Sequence, residues 1–377
     1  MTRLTVLVLG AGFGGLEVAA RLSDLAADRV DVTVIDQSDC FSFGFAKLDA
    51  MFGDGEPVVR TPYADLSRPA VTFRQERILA IDPASRVVDT SGGRYQADVL
   101  VVALGADLDV ARTPGLSSDD EYYSVVGAER AAVRIRDFER GHAVVAVAGT
   151  PYKCPPAPCE TALMLHDYLV RHGRREATSI SVISPFPIPV PPSPATSAAL
   201  LDAFAEHDIT FRANSRMAEV LPDRRCLVLD DGEEVGYDLL LAVPRHRPPA
   251  VVASLPSGND GWVQVDPRTL QTPFANVFAI GDVADAPVPR AGVYAERAAA
   301  VVAEQILSML DGRTVEPYDG YGACFIEFGG GRVARVEVTF ITEAGPQGGP
   351  FSPPSFDLAK DKVEFGTSRI AKWFGTR

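Results

Sequence analysis

The chain has 377 residues, 46% of them apolar and 23% charged, with 50 acidic against 36 basic side chains and a formal charge of −14. That length allows two or three domains, or two halves wound around a shared core, and the composition is that of an ordinary globular protein. The negative balance excludes nucleic acid as an expected partner, because phosphate binding requires a basic surface. Five widely spaced cysteines are not the dense framework of a small secreted domain. No stretch reaches the roughly 20 apolar residues that span a bilayer, and no charged, apolar leader precedes the first strand. The expected location is cytoplasmic, or peripheral on the cytoplasmic face of a membrane.

Residues 5–9, Thr-Val-Leu-Val-Leu, form an unbroken apolar run, as expected of a central parallel strand covered on both faces. Gly10-Ala11-Gly12-Phe13-Gly14-Gly15 follows at once, then a helical pattern through Leu16, Ala19, Ala20 and Leu22. A second strand over 31–35 ends in Asp36, 21 residues after Gly15. Strand, GxGxxG loop, helix, strand and acid together make the full dinucleotide-binding signature. Gly10 permits the tight turn, Gly12 lets backbone approach a pyrophosphate, and Gly15 lets helix and strand pack closely. The helix N-terminus faces the phosphates and Asp36 is suited to ribose hydroxyls.

Two later segments indicate that the nucleotide is FAD. Residues 98–106 run from an acid through an apolar strand to the small-residue turn Ala103-Leu104-Gly105. Residues 272–282 repeat that form and end in Gly281-Asp282. An extended flavin cofactor needs a carboxylate for its ribitol hydroxyls, and Asp282 suits that role. The alanine-rich pattern over 293–310 predicts a long helix whose start approaches the pyrimidine end of the flavin.

Between these segments lies a second strand of the same kind, 142–148, but it leads into Gly149-Thr150-Pro151-Tyr152-Lys153-Cys154-Pro155-Pro156-Ala157-Pro158-Cys159-Glu160. A helix begins near Glu160, and the next strand, 179–183, ends in Ser184-Pro185-Phe186-Pro187 with no carboxylate for a ribose. The glycine loop and the acid are both missing, which argues against an NAD(P)H site. A proline-stiffened loop with two cysteines stands there instead, so the electron donor is expected to react with thiols. Cys154 sits beside Lys153 and just before a helix N-terminus, and both features favour a thiolate. Cys40 and Cys226 lie in apolar or strand patterns and read as buried small hydrophobes. The five histidines show no metal-ligand spacing, and no metal is expected.

On these residues the chain resembles the two-dinucleotide-binding-domain flavoproteins, the group that includes glutathione reductase and type II NADH dehydrogenase. The resemblance covers about residues 4–330. Within that group the chain is most similar to the sulfide:quinone oxidoreductases and the flavoprotein subunit of flavocytochrome c sulfide dehydrogenase. The resemblance implies an α/β fold of two Rossmann-like, three-layer nucleotide-binding domains, the second inserted in the first, plus a short C-terminal strand and helix region. The expected boundaries are 1–106 with 246–315 for the FAD-binding domain, 107–245 for the second domain, and 316–377 for the C-terminal region. It implies cofactor contacts from Gly10, Gly12, Phe13, Gly14, Gly15, Asp36, Gln37, Arg77, Ile78, Ala103, Leu104, Gly105, Gly281, Asp282, Gly292 and Val293.

It also implies that Cys154 and Cys324 meet over the flavin as a redox pair, through a disulfide or polysulfide bridge. Sulfide is then the electron donor and a quinone the acceptor, since the chain has no Cys-x-x-Cys-His haem motif. Relatives often carry a further cysteine between the two halves; residues 107–141 have none, and Cys159 is the candidate to replace it, either as a resolving thiol or as a packing residue. After Cys324 come a strand over 332–341, a loose stretch over 345–354, and a helix over 357–377 with Val363, Phe365, Ile370, Trp373 and Phe374 among Lys360, Lys362, Arg369, Lys372 and Arg377. That tail suits a peripheral membrane interface, or docking on its own domain or on a second subunit of a homodimer; Phe351, Phe356 and Trp373 are the expected quinone lining. Two alternatives stay open: an NADH:quinone oxidoreductase using a degenerate site, and a flavoprotein redox sensor without turnover.

Overall fold

The computed structural model describes residues 3–53 and 58–375. Its first sheet is wholly parallel, with strands in the order Val277–Ala279, Val99–Val102, Leu4–Leu9, Val30–Asp36 and Val71–Gln75. The apolar runs of the central strands are buried on both faces, as their lack of alternation requires. Helix α1 (Phe13–Ala26) follows the first strand, and α2 (Gly44–Phe52) comes after the second.

The chain leaves this sheet after Val99–Val102 and builds a second one before returning with Val277–Ala279. The second sheet is also parallel, ordered Ile209–Arg212, Thr178–Ile183, Gly141–Val147 and Leu239–Val243. Helices α3 (Val125–Asp137), α4 (Ala157–Arg171) and α5 (Pro194–Glu206) cover it. Short antiparallel strands, Asp107–Asp109 and Arg245–Arg247, pair where the two crossings between the halves meet. On its return the chain forms α6 (Gly292–Asp311), which lies along α1. Small residues permit that approach: a Cβ on Gly292 of α6 would stand 2.6 Å from the Phe13 ring of α1.

The C-terminal region is a three-stranded antiparallel sheet, Tyr321–Glu327, Val333–Thr339 and Gln347–Ser355, closed by α7 (Phe356–Phe374). The stretch read from sequence as loose is therefore the third strand. Gly348, Gly349 and three prolines hide it locally, but it is an edge strand paired through two register shifts, where missing N–H groups are tolerated. This sheet leans on α4, while α7 reaches back to α1.

The aromatic tail is consumed by that docking. Trp373 and Phe374 are fully buried, and Trp373 packs edge-on against Phe13 and Phe41. Its indole Nε1 donates to Glu17 of α1 at 2.7 Å, and Lys372 and Arg21 each reach the same carboxylate at 2.6 Å. Burial pushes the Glu17 carboxyl up, but the donors from Lys372, Trp373 and Arg21 outweigh it and leave the group below its ordinary range. The expected docking on its own domain is thus what the helix does. Arg377, grouped with the basic residues of the tail, lies outside the described residues. No helix among the described residues is long and apolar enough to cross a membrane.

Trp373→Ala removes a fully buried ring and one of the three donors to the buried Glu17 carboxylate, so it should destabilise the protein by about 3–5 kcal/mol. Phe356→Ala, at a side chain that projects into solvent, should change stability by about 0.5 kcal/mol or less. Thermal unfolding of the two variants beside the parent checks the contrast.

Candidate active site

The first glycine loop is built for close approach. Gly10 has φ +100°, and a Cβ there would stand 2.4 Å from the Ala103 carbonyl oxygen; one on Gly15 would stand 1.9 Å from the Gly10 oxygen. In front of Gly12 there is nothing within 4 Å, which leaves its backbone open to a ligand. The first helical bond of α1 runs from Leu16 N–H to Gly12 O, so the preceding amides point outward from the helix N-terminus. Asp36 closes the next strand and accepts the Ala11 and Ser38 amides, each at 2.8 Å. Gln37 and Arg77 are exposed and Ile78 half-buried at the carboxyl edge of the neighbouring strands.

The second and third turns stand beside this loop. Gly105 and Gly281 both take left-handed φ, +70° and +71°. Ala103 and Leu104 are half-buried, and Gly292 and Val293 open α6 with Gly292 against the Phe13 ring. The Asp282 carboxylate is deep-set and accepts no hydrogen bond among the described residues; burial raises it, with Lys153, Arg290 and Lys47 pulling the other way. A polar group held without a protein partner among three cations is suited to a hydroxyl-rich ligand.

The cysteine loop is fastened to these turns. Cys154 N–H donates to the Arg290 carbonyl at 2.7 Å, and Arg290 Nε donates to the Asp282 carbonyl at 3.0 Å. Lys153 Nζ donates to the Ala106 carbonyl at 3.2 Å. Cys154 itself has φ +49°, a left-handed conformation that costs a non-glycine residue about 1–2 kcal/mol. Its side chain is exposed by surface area yet lies deep among protein atoms, as a group facing an internal cleft does. Cys324 is half-buried on Tyr321–Glu327. Tyr294 of α6 feels the charge of both thiols, and a Cβ on Gly322 would strike its ring at 2.4 Å, so α6 presses on the strand that carries Cys324.

Glu160, in the first turn of α4, is the group that sequence reading treated only as a helix start. It is buried and accepts the Glu327 N–H at 3.0 Å. Burial pushes it up to about 7, against the pull of the Glu327 amide and Lys362. Its charge raises Cys154, Cys159 and Cys324 alike. The expectation of an easily formed Cys154 thiolate is therefore corrected. Burial, Glu160 and Cys324 hold that thiol well above its ordinary range, and the opposing pulls, from Lys47 and the Ala157 amide at the start of α4, are weaker. Lys153, named for that task, spends its ammonium on Ala106 instead. Cys324 is pushed up to about 12 by burial and Glu160. Cys159 sits in the apolar core with Tyr152, 3% exposed, and is not brought to the cleft.

Strand alternation gives Ala323 and Phe325 the face opposite Cys324, where they line a cavity of about 560 Å³. Val293, Phe365 and the paired ions Glu296–Arg369 and Glu17–Arg21 form part of a wall that is otherwise largely polar, with Arg297, Arg335, Asp361 and Glu364 in it. None of the expected lining residues is among them: Trp373 is in the core, Phe356 points outward, and Phe351 packs beside the second-sheet core. No cluster of metal-ligating side chains occurs among the described residues.

The pattern of the pyridine nucleotide-disulphide oxidoreductases matches residues 4–303. The chain belongs to that family. Its resemblance to mouse mitochondrial sulfide:quinone oxidoreductase is 26% identity over 375 residues, 95% of this chain and 82% of the relative. An NADH dehydrogenase-like protein of Mycobacterium tuberculosis is 29% identical over 76% of the chain and 74% of its own length. Among solved structures, the sulfide:quinone oxidoreductase of Aquifex aeolicus superposes with a TM-score of 0.85 at 23% identity, covering 99% of this chain and 92% of that one. As a pyridine nucleotide-disulphide oxidoreductase the chain is an FAD-binding enzyme. The open face of Gly12, the outward amides of α1 and the unpartnered Asp282 carboxylate fit that cofactor.

In the reduced protein, alkylation of Cys154 should be slow at pH 7 and accelerate only as pH climbs past 9. Glu160→Gln removes the raising charge and should shift the alkylation profile to lower pH, whereas Lys47→Met should leave it nearly in place, because Lys47, pulled down to about 8, is already neutral where Cys154 ionises. Peptide mass spectrometry after timed iodoacetamide exposure reads the contrast.

Proposed function

We propose that this enzyme oxidises sulfide at a Cys154–Cys324 pair and passes the electrons through FAD to a quinone, leaving sulfane sulfur or polysulfide as product. The observation that carries this reading is the tie from Cys154 through Arg290 to the Asp282 turn, with Cys324 opposite under the same Glu160 and Tyr294. The sulfide:quinone oxidoreductases among its relatives, matched over nearly the whole chain, support the same substrate pair. The loop of Pro155, Pro156 and Pro158 occupies the position at which a glycine turn would receive a pyridine nucleotide, which counts against an NADH site.

Starting from a Cys154–Cys324 bridge, hydrosulfide attacks one sulfur and breaks the S–S bond, leaving a persulfide on one cysteine and a thiolate on the other. Joining these two into a bridge one sulfur longer releases two electrons and one proton. FAD, which the Gly12 loop, the α1 amides and the Asp282 turn would hold, would supply the two-electron acceptor for that step and the reductant for the quinone. The proton is taken by the Glu160 carboxylate. The elevated thiol range of both cysteines works against stray thiolate and favours the bridged, oxidised state at rest. Because Glu160 is pushed up to about 7, it accepts a proton only when ionised, so bridge re-formation slows as pH falls through that value. The cavity behind Cys324 offers the quinone an apolar floor of Ala323, Phe325 and Phe365 with a charged rim.

Sulfide-dependent quinone reduction should fall at least about a hundredfold in Cys154→Ser and in Cys324→Ser and stay within a few-fold of the parent in Cys159→Ser. Retention of activity in either of the first two variants would remove the pair from the reaction. Parent activity should also decline on an acidic limb near pH 7 that disappears in Glu160→Gln along with most of the rate.

A further inference from the structure

Behind the two cysteines a second polar group runs from the core to the surface. The Glu327 amide holds Glu160 at 3.0 Å, the Glu327 carboxylate pairs with Lys362 of α7, and Lys362 also reaches Asp49 of α2 at 3.4 Å. Glu160, Glu327 and Lys362 are all buried, while Asp49 is half-exposed. The Lys362 ammonium lies 4.8 Å from the Phe45 ring centroid, which seats it further. A lysine buried this deeply is costly unless its partners are held, and nothing in the docking of α7, which already has Trp373 and Phe374, needs a charge here.

We propose that Lys362 and Glu327 are a positioning pair that sets the charge state of Glu160, so that the seating of α7 governs proton transfer at the two cysteines. The groups facing Glu160 are disposed for this. Cys154 and Cys159 face it from the loop and first turn of α4, Cys324 and Glu327 from the strand, and Asp49 from α2. Tyr122 and Tyr123, ahead of α3, are neutral. Lys362 brings positive charge and Glu327 and Asp49 negative charge, so the two members of the pair push Glu160 in opposite directions. The consequence for turnover rests on the proposed sulfide oxidation; the effect on Glu160 does not.

The test is infrared titration of the Glu160 carboxyl band in the flavin-loaded protein, assigned by its loss in Glu160→Gln. The parent midpoint is expected near pH 7. Lys362→Met leaves Glu327 and Asp49 uncompensated and should raise the midpoint by about one pH unit, Glu327→Gln should lower it by a similar amount, and Lys362→Arg should restore it. Should Lys362→Met fail to fold, the direction of the Glu327→Gln shift decides alone. Midpoints that stay put, or move the same way in both variants, overturn the proposal even where sulfide reduces the flavin. Opposite shifts uphold it even where sulfide fails to reduce the flavin at any pH, a result that sinks only the sulfide reading.

Discussion

Everything in the centre depends on one short relay of hydrogen bonds. Cys154 N–H holds the Arg290 carbonyl, and the Arg290 guanidinium, itself lying over Trp262, holds the Asp282 carbonyl. The loop that begins the second parallel sheet is thereby fixed to a turn of the first. A left-handed residue such as Cys154 persists only where its surroundings hold it, and here one amide-to-carbonyl bond, one guanidinium-to-carbonyl bond and three prolines do so. The thiol is consequently placed by the half of the molecule built on the first sheet although it belongs to the other.

Electrostatics then divide the labour among groups that a list of conserved-looking motifs would treat alike. Five cysteines share the chain, but only Cys154 and Cys324 see one another and Tyr294 together. Glu160 lies close enough to raise both, which resists thiolate formation whenever the two cysteines are reduced. Lys47, pulled down to about 8 by burial and by Lys153, is the weak counterweight. Since Lys47 loses its charge as pH rises through that value, its help to Cys154 fades on the alkaline side.

The first nucleotide site was legible because its signals are local. Gly10, Gly12, Gly15 and Asp36 answer to a turn, a close approach and a strand end, all within one βαβ unit. The fold class came from the family resemblance that these signals, repeated around Gly105 and Gly281, carry. Glu160, Lys47 and Lys362 were missed because their roles arise from burial by segments distant in sequence; an acid in the first turn of a helix looks like ordinary dipole complementation. The strand Gln347–Ser355 was read as loose for a related reason: its glycines and prolines oppose a strand locally, and pairing with Val333–Thr339 overrides them. Trp373 carried a correct signal, aromaticity on an amphipathic helix, but its partner is the buried Glu17 and not a membrane or a quinone.

The central claim is that electrons enter through the cysteine pair and not through a nucleotide at the second sheet. Anaerobic rapid mixing of the flavin-loaded protein with sulfide and, separately, with NADH tests it most directly, with flavin absorbance as the readout. The account predicts rapid bleaching by sulfide and none by NADH. Bleaching by NADH with indifference to sulfide would contradict it and make the Cys154 loop a structural element alone.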